Sequence, residues 1–103
     1  MEAKQWQNLS TVNQLGNIGS EISRAQHWRQ KNDLNNSEAA LTRALDLVNL
    51  TLSDKKNFGR AHELARLKEV VADLLAKTNI YNVSFSDLSS VLMNFAILAR
   101  KPR

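Results

Sequence analysis

Apolar residues recur along this chain at the spacing of one face of a helix. Between Leu9 and Lys31, the residues Val12, Leu15, Ile18, Ile22 and Ala25 form one stripe when successive positions are set about 100° apart. Gly16 and Gly19 sit on or beside that stripe. Each costs roughly 1 kcal/mol against Ala in a helix interior, which predicts that a neighbouring helix comes close there, a hinge or a ligand contact being the alternative. A polar turn follows at Asn32, Asp33, Asn35 and Asn36, residues that satisfy backbone groups locally. Asn35 with Glu38 has the spacing of a capping box, and a second helix is expected from Asn36 to Ser53. It buries Leu41, Leu45, Val48 and Leu52 and leaves Leu47 and Leu50 on its opposite side.

Asp54 to Gly59 breaks the pattern, and a third helix runs from Arg60 to Lys77 with Leu64, Leu67, Val70, Val71, Leu74 and Leu75 on one broad face. Arg60 and Glu63 fall on its core side, three residues apart, and can pair. The polar stretch Thr78 to Val83 leads to Ser84, an N-cap with Asp87 suited to the positive end of a helix dipole. The fourth helix, Phe85 to Arg100, has a main stripe of Phe85, Leu88, Leu92, Phe95, Ala96 and Ala99. Val91 and Leu98 flank it on one side, Met93 and Ile97 on the other.

A helix apolar nearly all round is buried on more than one side. A bundle this small hides no helix completely, whereas a second copy of the chain would. Leu47, Leu50, Val91, Met93, Ile97 and Leu98 are therefore the candidate dimer interface. No strand candidate finds a partner. Short loops between helices of comparable length give an all-α, up-down-up-down four-helix bundle, dimeric through its fourth helix.

The length of 103 residues fits one domain, with residues 1–8 and 101–103 expected as flexible ends. The chain has no cysteine, which excludes disulfides, a Cys-ligated zinc and a thiol nucleophile. Its formal charge of +4 is an end effect: residues 1–99 hold 11 Lys and Arg against 10 Asp and Glu, and Arg100, Lys101 and Arg103 supply the rest. That is not the basic stripe of a nucleic-acid-binding surface. No apolar run approaches a membrane span. Met1 to Gln7 lacks the apolar core of a signal peptide, so a cytoplasmic protein is expected.

The densest polar cluster is Arg24, His27, Trp28, Arg29 and Lys31. By angle Arg29 faces the core, where a guanidinium needs a carboxylate. Asp73 and Asp87 are the partners that the bundle topology offers. His27, Trp28, Arg29, Asp73 and Asp87 thus form a candidate ion-pair or anion site. Neither His27 nor His62 has the companions of a metal site. There is no nucleophile elbow or glycine-rich phosphate loop either. Trp6 and Trp28 are expected in packing at the bundle edge or against a partner.

Gln30-Lys31-Asn32-Asp33, followed by Ala40, Arg43-Ala44-Leu45 and Leu47, resembles part of a tetratricopeptide repeat without the turn glycine. With no second copy, that resemblance implies a local helical hairpin rather than a solenoid. In size and helix pattern the whole chain is also similar to small bacterial four-helix proteins of the HEPN type, including nucleotidyltransferase substrate-binding subunits. Ribonucleases of that family carry Arg and His at a short spacing. Here the corresponding positions are Ser20, Glu21 and Ile22 before His27, and Lys55, Lys56 and Asn57 before His62. The ribonuclease activity therefore does not carry over. The expected function is a non-enzymatic, homodimeric protein-interaction module without metal, cofactor, nucleic acid or membrane. A small-ligand or nucleotide-binding bundle with an anion site near Arg29 is the alternative.

Overall fold

The computed structural model describes residues 3–76. Every regular element among them is helical: α1 (Ala3–Gln7), α2 (Thr11–Gln30), α3 (Leu34–Leu52), a 3₁₀ turn (Lys55–Arg60) and α4 (Ala61–Ala76). The first three expected helices correspond to α2, α3 and α4. The fourth, Phe85 to Arg100, lies outside the described residues.

The helix ends follow from their cap residues. Ser10 opens α2 by accepting the Asn13 backbone N–H at 3.1 Å. At its other end Asn32 takes a φ of 61°, a left-handed conformation that Asn tolerates better than most residues. The Asn32 N–H then bonds Arg29 O at 3.0 Å and the Asp33 N–H bonds Trp28 O at 2.9 Å, the paired closure of a Schellman motif. Asn32 thus fills the place of the turn glycine that the tetratricopeptide pattern would have. Asp33, next in line, caps α3 by accepting the Asn36 N–H at 3.1 Å. The expected cap at Asn35 is corrected. The chain reverses at Asn32, so the carboxylate that meets the new helix is that of Asp33, which also suits the helix dipole.

Packing centres on α3, which lies against α2 on one side and α4 on the other. Ala25, Ala40 and Ala44 are fully buried, and the Ser37 hydroxyl bonds Ala25 O across the α2–α3 contact at 2.9 Å. The glycines mark no close approach: among the described residues nothing lies within 4 Å of a Cβ placed on Gly16 or Gly19. The buried stripe of α2 is Leu15, Ile18, Ile22 and Ala25, with Val12 half-buried; α4 contributes Leu64, Val70, Val71 and Leu74. On α3 Leu41 and Val48 are buried, while Leu45, Leu47, Leu50 and Leu52 are all half-buried and pack on the core. Leu47 and Leu50 therefore do not lie on an unpartnered opposite side. A helix with a neighbour on each flank buries part of nearly every apolar residue it carries.

Two further expectations are corrected. Ala3–Gln7 is not a loose end but a helical turn with Trp6 fully buried. Arg60, in the 3₁₀ turn, and Glu63, in the first turn of α4, are exposed rather than on the core side, which Leu64 takes at that level of the helix.

Candidate functional site

The candidate anion cluster divides over the fold. His27 and Trp28 do meet, as an edge-to-face pair with ring centroids 5.5 Å apart. His27 is exposed and Trp28 half-buried. Arg29 is exposed rather than core-facing. It stands one turn beyond Ala25, whose carbonyl accepts the Ser37 hydroxyl at 2.9 Å. That bond marks where α3 begins to cover α2; past it Gln26 and Trp28 are only half-buried and Arg29 is exposed. Asp73 is buried on α4, and both it and Arg29 have partners. Asp87 lies outside the described residues, as do Val91, Met93, Ile97 and Leu98. His27 and Arg29 occupy the last turn of α2, where positive charge complements the helix's negative end. That field works against a bound anion.

The densest buried polar chemistry lies at the other end of α2. Gln14, Thr51 and Asn57 are buried almost completely, with Asp54 beside them. Gln14 Nε2 donates to Trp6 O and to Asp54 Oδ2, each at 2.9 Å, and Gln14 Oε1 accepts from Asn57 Nδ2 at 2.8 Å. Asn57 Nδ2 also donates to Thr51 O at 3.1 Å, while Asn57 Oδ1 accepts the Thr11 hydroxyl at 2.6 Å. The Trp6 indole donates to Thr51 Oγ1 at 2.9 Å, and that hydroxyl donates onward to Leu47 O at 2.7 Å. Asp54 caps the 3₁₀ turn through the Lys56 backbone N–H and is ion-paired with the Lys56 ammonium, which also donates to Gln7 O at 2.9 Å.

Burial pushes the Asp54 carboxyl up. The hydrogen bonds from Lys56 and Gln14, together with the Lys56 charge, outweigh it and hold the group below its ordinary value. Both amides thus use their donors and acceptors within the protein, as buried polar groups require. Neither hydroxyl is activated as a nucleophile, since each donates to a carbonyl-type oxygen and not to a base. The network joins α1, α2, α3 and the 3₁₀ turn mechanically.

A third group spans α2 and α3. Glu21, nearly buried, holds Arg24 on its own helix and Arg43 across the interface, both arginines remaining more than half exposed. Beside them lies an open groove of about 610 Å³ lined by Glu21, Arg43, Asp46, Leu47, Asn49 and Leu50. The two leucines of the expected interface are therefore brought together, with charges of both signs around them. Among the described residues no cluster of His, Asp and Glu could hold a metal ion, and no helix is long and apolar enough to cross a membrane.

Compared with protein-family models, curated proteins and solved structures, the chain finds no match. Gln14, Thr51, Asp54 and Asn57 went unread in the sequence. The available signal was Gln14 itself, an uncharged polar residue beside Leu15 and one helical turn from Ile18, where burial demands a partner.

Proposed function

We propose that this protein is a non-enzymatic helical module that acts by binding protein, and that its first partner is a second copy of itself. The observation that carries this reading is the α3 groove, lined by Leu47 and Leu50 together with Arg43 and Asp46, which stand about one turn apart. In a two-fold pair each copy presents the same patch to the other. A face that carries both an arginine and a carboxylate is complementary to itself, because Arg43 of one copy can meet the second copy's Asp46. The surplus of apolar residues in the sequence of 85–100, beyond what one helix face needs, supports the same reading. The non-enzymatic part rests on the polar network above, whose groups are engaged in holding elements together.

Sedimentation equilibrium at micromolar concentration tests the pairing. A mass of about twice 11.6 kDa is expected, and a monomer throughout would overturn it. Asp46→Arg, on an exposed position, should weaken association without loss of helicity. Titration with inorganic phosphate and with ATP separates the nucleotide-linked alternative: saturation at about 100 times Kd would add roughly 2.7 kcal/mol of stability, and no shift is expected.

A further inference from the structure

We infer that Ala3–Gln7 is a reversible strap, which leaves and re-enters its seat as a unit while α2, α3 and α4 stay folded. Five residues are too few to hold a helix by themselves, so α1 owes its shape to what it sits on. Its attachment is narrow. Trp6 is its one buried side chain, and three hydrogen bonds tie it to the body: the indole to Thr51 Oγ1, Gln14 Nε2 to Trp6 O, and Lys56 Nζ to Gln7 O, all at 2.9 Å.

The seat is built to survive the strap's departure. Thr51 Oγ1 keeps its bond to Leu47 O, Gln14 Nε2 keeps Asp54, and Lys56 Nζ keeps its ion pair with Asp54. Asn57 goes on tying Gln14 to the Thr51 carbonyl and to Thr11. Each of these body groups keeps one bond when α1 lifts, the Gln14 N–H and the Lys56 N–H that α1 frees face the opened slot and its water, and the groups that α1 carries away enter water. Opening therefore avoids the penalty of an unsatisfied buried group that removing a network member incurs. It exposes a slot lined by a hydroxyl acceptor and two donors, shaped by an indole and the carbonyls that follow it. Local openings of this kind occur well below the free energy of global unfolding.

Native-state hydrogen exchange on the full chain, followed by NMR at low urea concentrations, tests the strap. The Trp6 indole N–H, assigned by its loss in Trp6→Phe, is compared with the backbone amides of Ile22 and Val48, all three residues being fully buried. The indole should show an opening constant about tenfold or more above the two amides, with little dependence on urea. Equal opening constants and equal urea slopes would overturn the proposal, since α1 would then melt only with the core. In Thr51→Val, which removes the indole's acceptor, the Trp6 opening constant should rise several-fold more than those of Ile22 and Val48. A parallel rise in all three would count against a separable strap.

Discussion

Replacing Asn57 with Ala takes out a side chain that, like Gln14, touches three other members of the buried network. Its amide donates to Gln14 Oε1 and Thr51 O and accepts from Thr11 Oγ1, so three hydrogen bonds are lost together. Their consequences differ. Thr51 O keeps the Asp54 N–H at 3.2 Å, and Thr11 is only half-buried, so its hydroxyl can turn to water. Gln14 Oε1, on a fully buried residue, loses its donor and has no such escape. Three bonds at about 1 kcal/mol each give a loss of about 3 kcal/mol. For a domain of this size that lowers Tm by roughly 12–24 °C. The assay is thermal and urea unfolding followed by circular dichroism at 222 nm, with Asn35→Ala as the control. Asn35 is exposed and should change stability by less than about 0.5 kcal/mol. An unchanged m-value would assign the effect to native-state stability. A loss under about 1 kcal/mol in Asn57→Ala would refute the reasoning, since the network would then be replaceable by water.

Other expectations follow from the same geometry. Asp54 titrates in the folded protein below its ordinary value of 3.8. Its contribution to stability is therefore complete above that value and is lost as pH falls through the lower native one. Asp54→Asn should flatten the acid limb of a stability-against-pH curve below about pH 4, and an unchanged limb would show that Asp54 does not control it. Asn32→Gly should be neutral or slightly stabilising, because φ is 61° there. Asn32→Ala should cost about 1 kcal/mol, and equal unfolding midpoints for the two would remove the left-handed turn as the reason for Asn. A double-mutant cycle of Glu21→Gln with Arg43→Gln should give a coupling of about 0.5–1 kcal/mol, kept small because the arginine is 54% exposed. A coupling near zero would mean the pair does not tie α2 to α3.

The α2–α3 hairpin was legible because its signals are local: a stripe, a polar turn, a second stripe. Its cap was misplaced because Asp33 and Asn35 both offer acceptors within the same turn, and the choice depends on where the chain reverses. That is set by the left-handed Asn32. The buried network was not legible because its bonds join residues 40 and more positions apart, Gln14 to Asp54 and Asn57 and Trp6 to Thr51. No periodicity relates them.

The remaining corrections share a geometric cause. A helical projection gives the angle of a side chain but not its position along the axis, and it assumes one neighbour per helix. Arg29 has the right angle to face the core and stands one turn past the place where α3 can cover it. Leu47 and Leu50 fall off the stripe of Leu41, Leu45, Val48 and Leu52, yet they are half-buried beside Glu21 of α2, because α3 packs on α2 as well as on α4. The errors thus fall at helix ends and on the central helix. The extra information needed is the order of the helices in the layer. Of the three long described helices, α3 was the one with leucines on several sides, which by the same logic marked it as the one in the middle. An all-round apolar helix has two physical explanations, a second molecule or a second neighbour in its own chain. For α3 two neighbours, α2 and α4, lie within its own chain, and Leu47 and Leu50 are half-buried in a groove that Glu21 of α2 helps to line. The proposed pairing of two copies would accordingly draw on what those leucines still expose in the groove, together with the charges of Arg43 and Asp46 beside them.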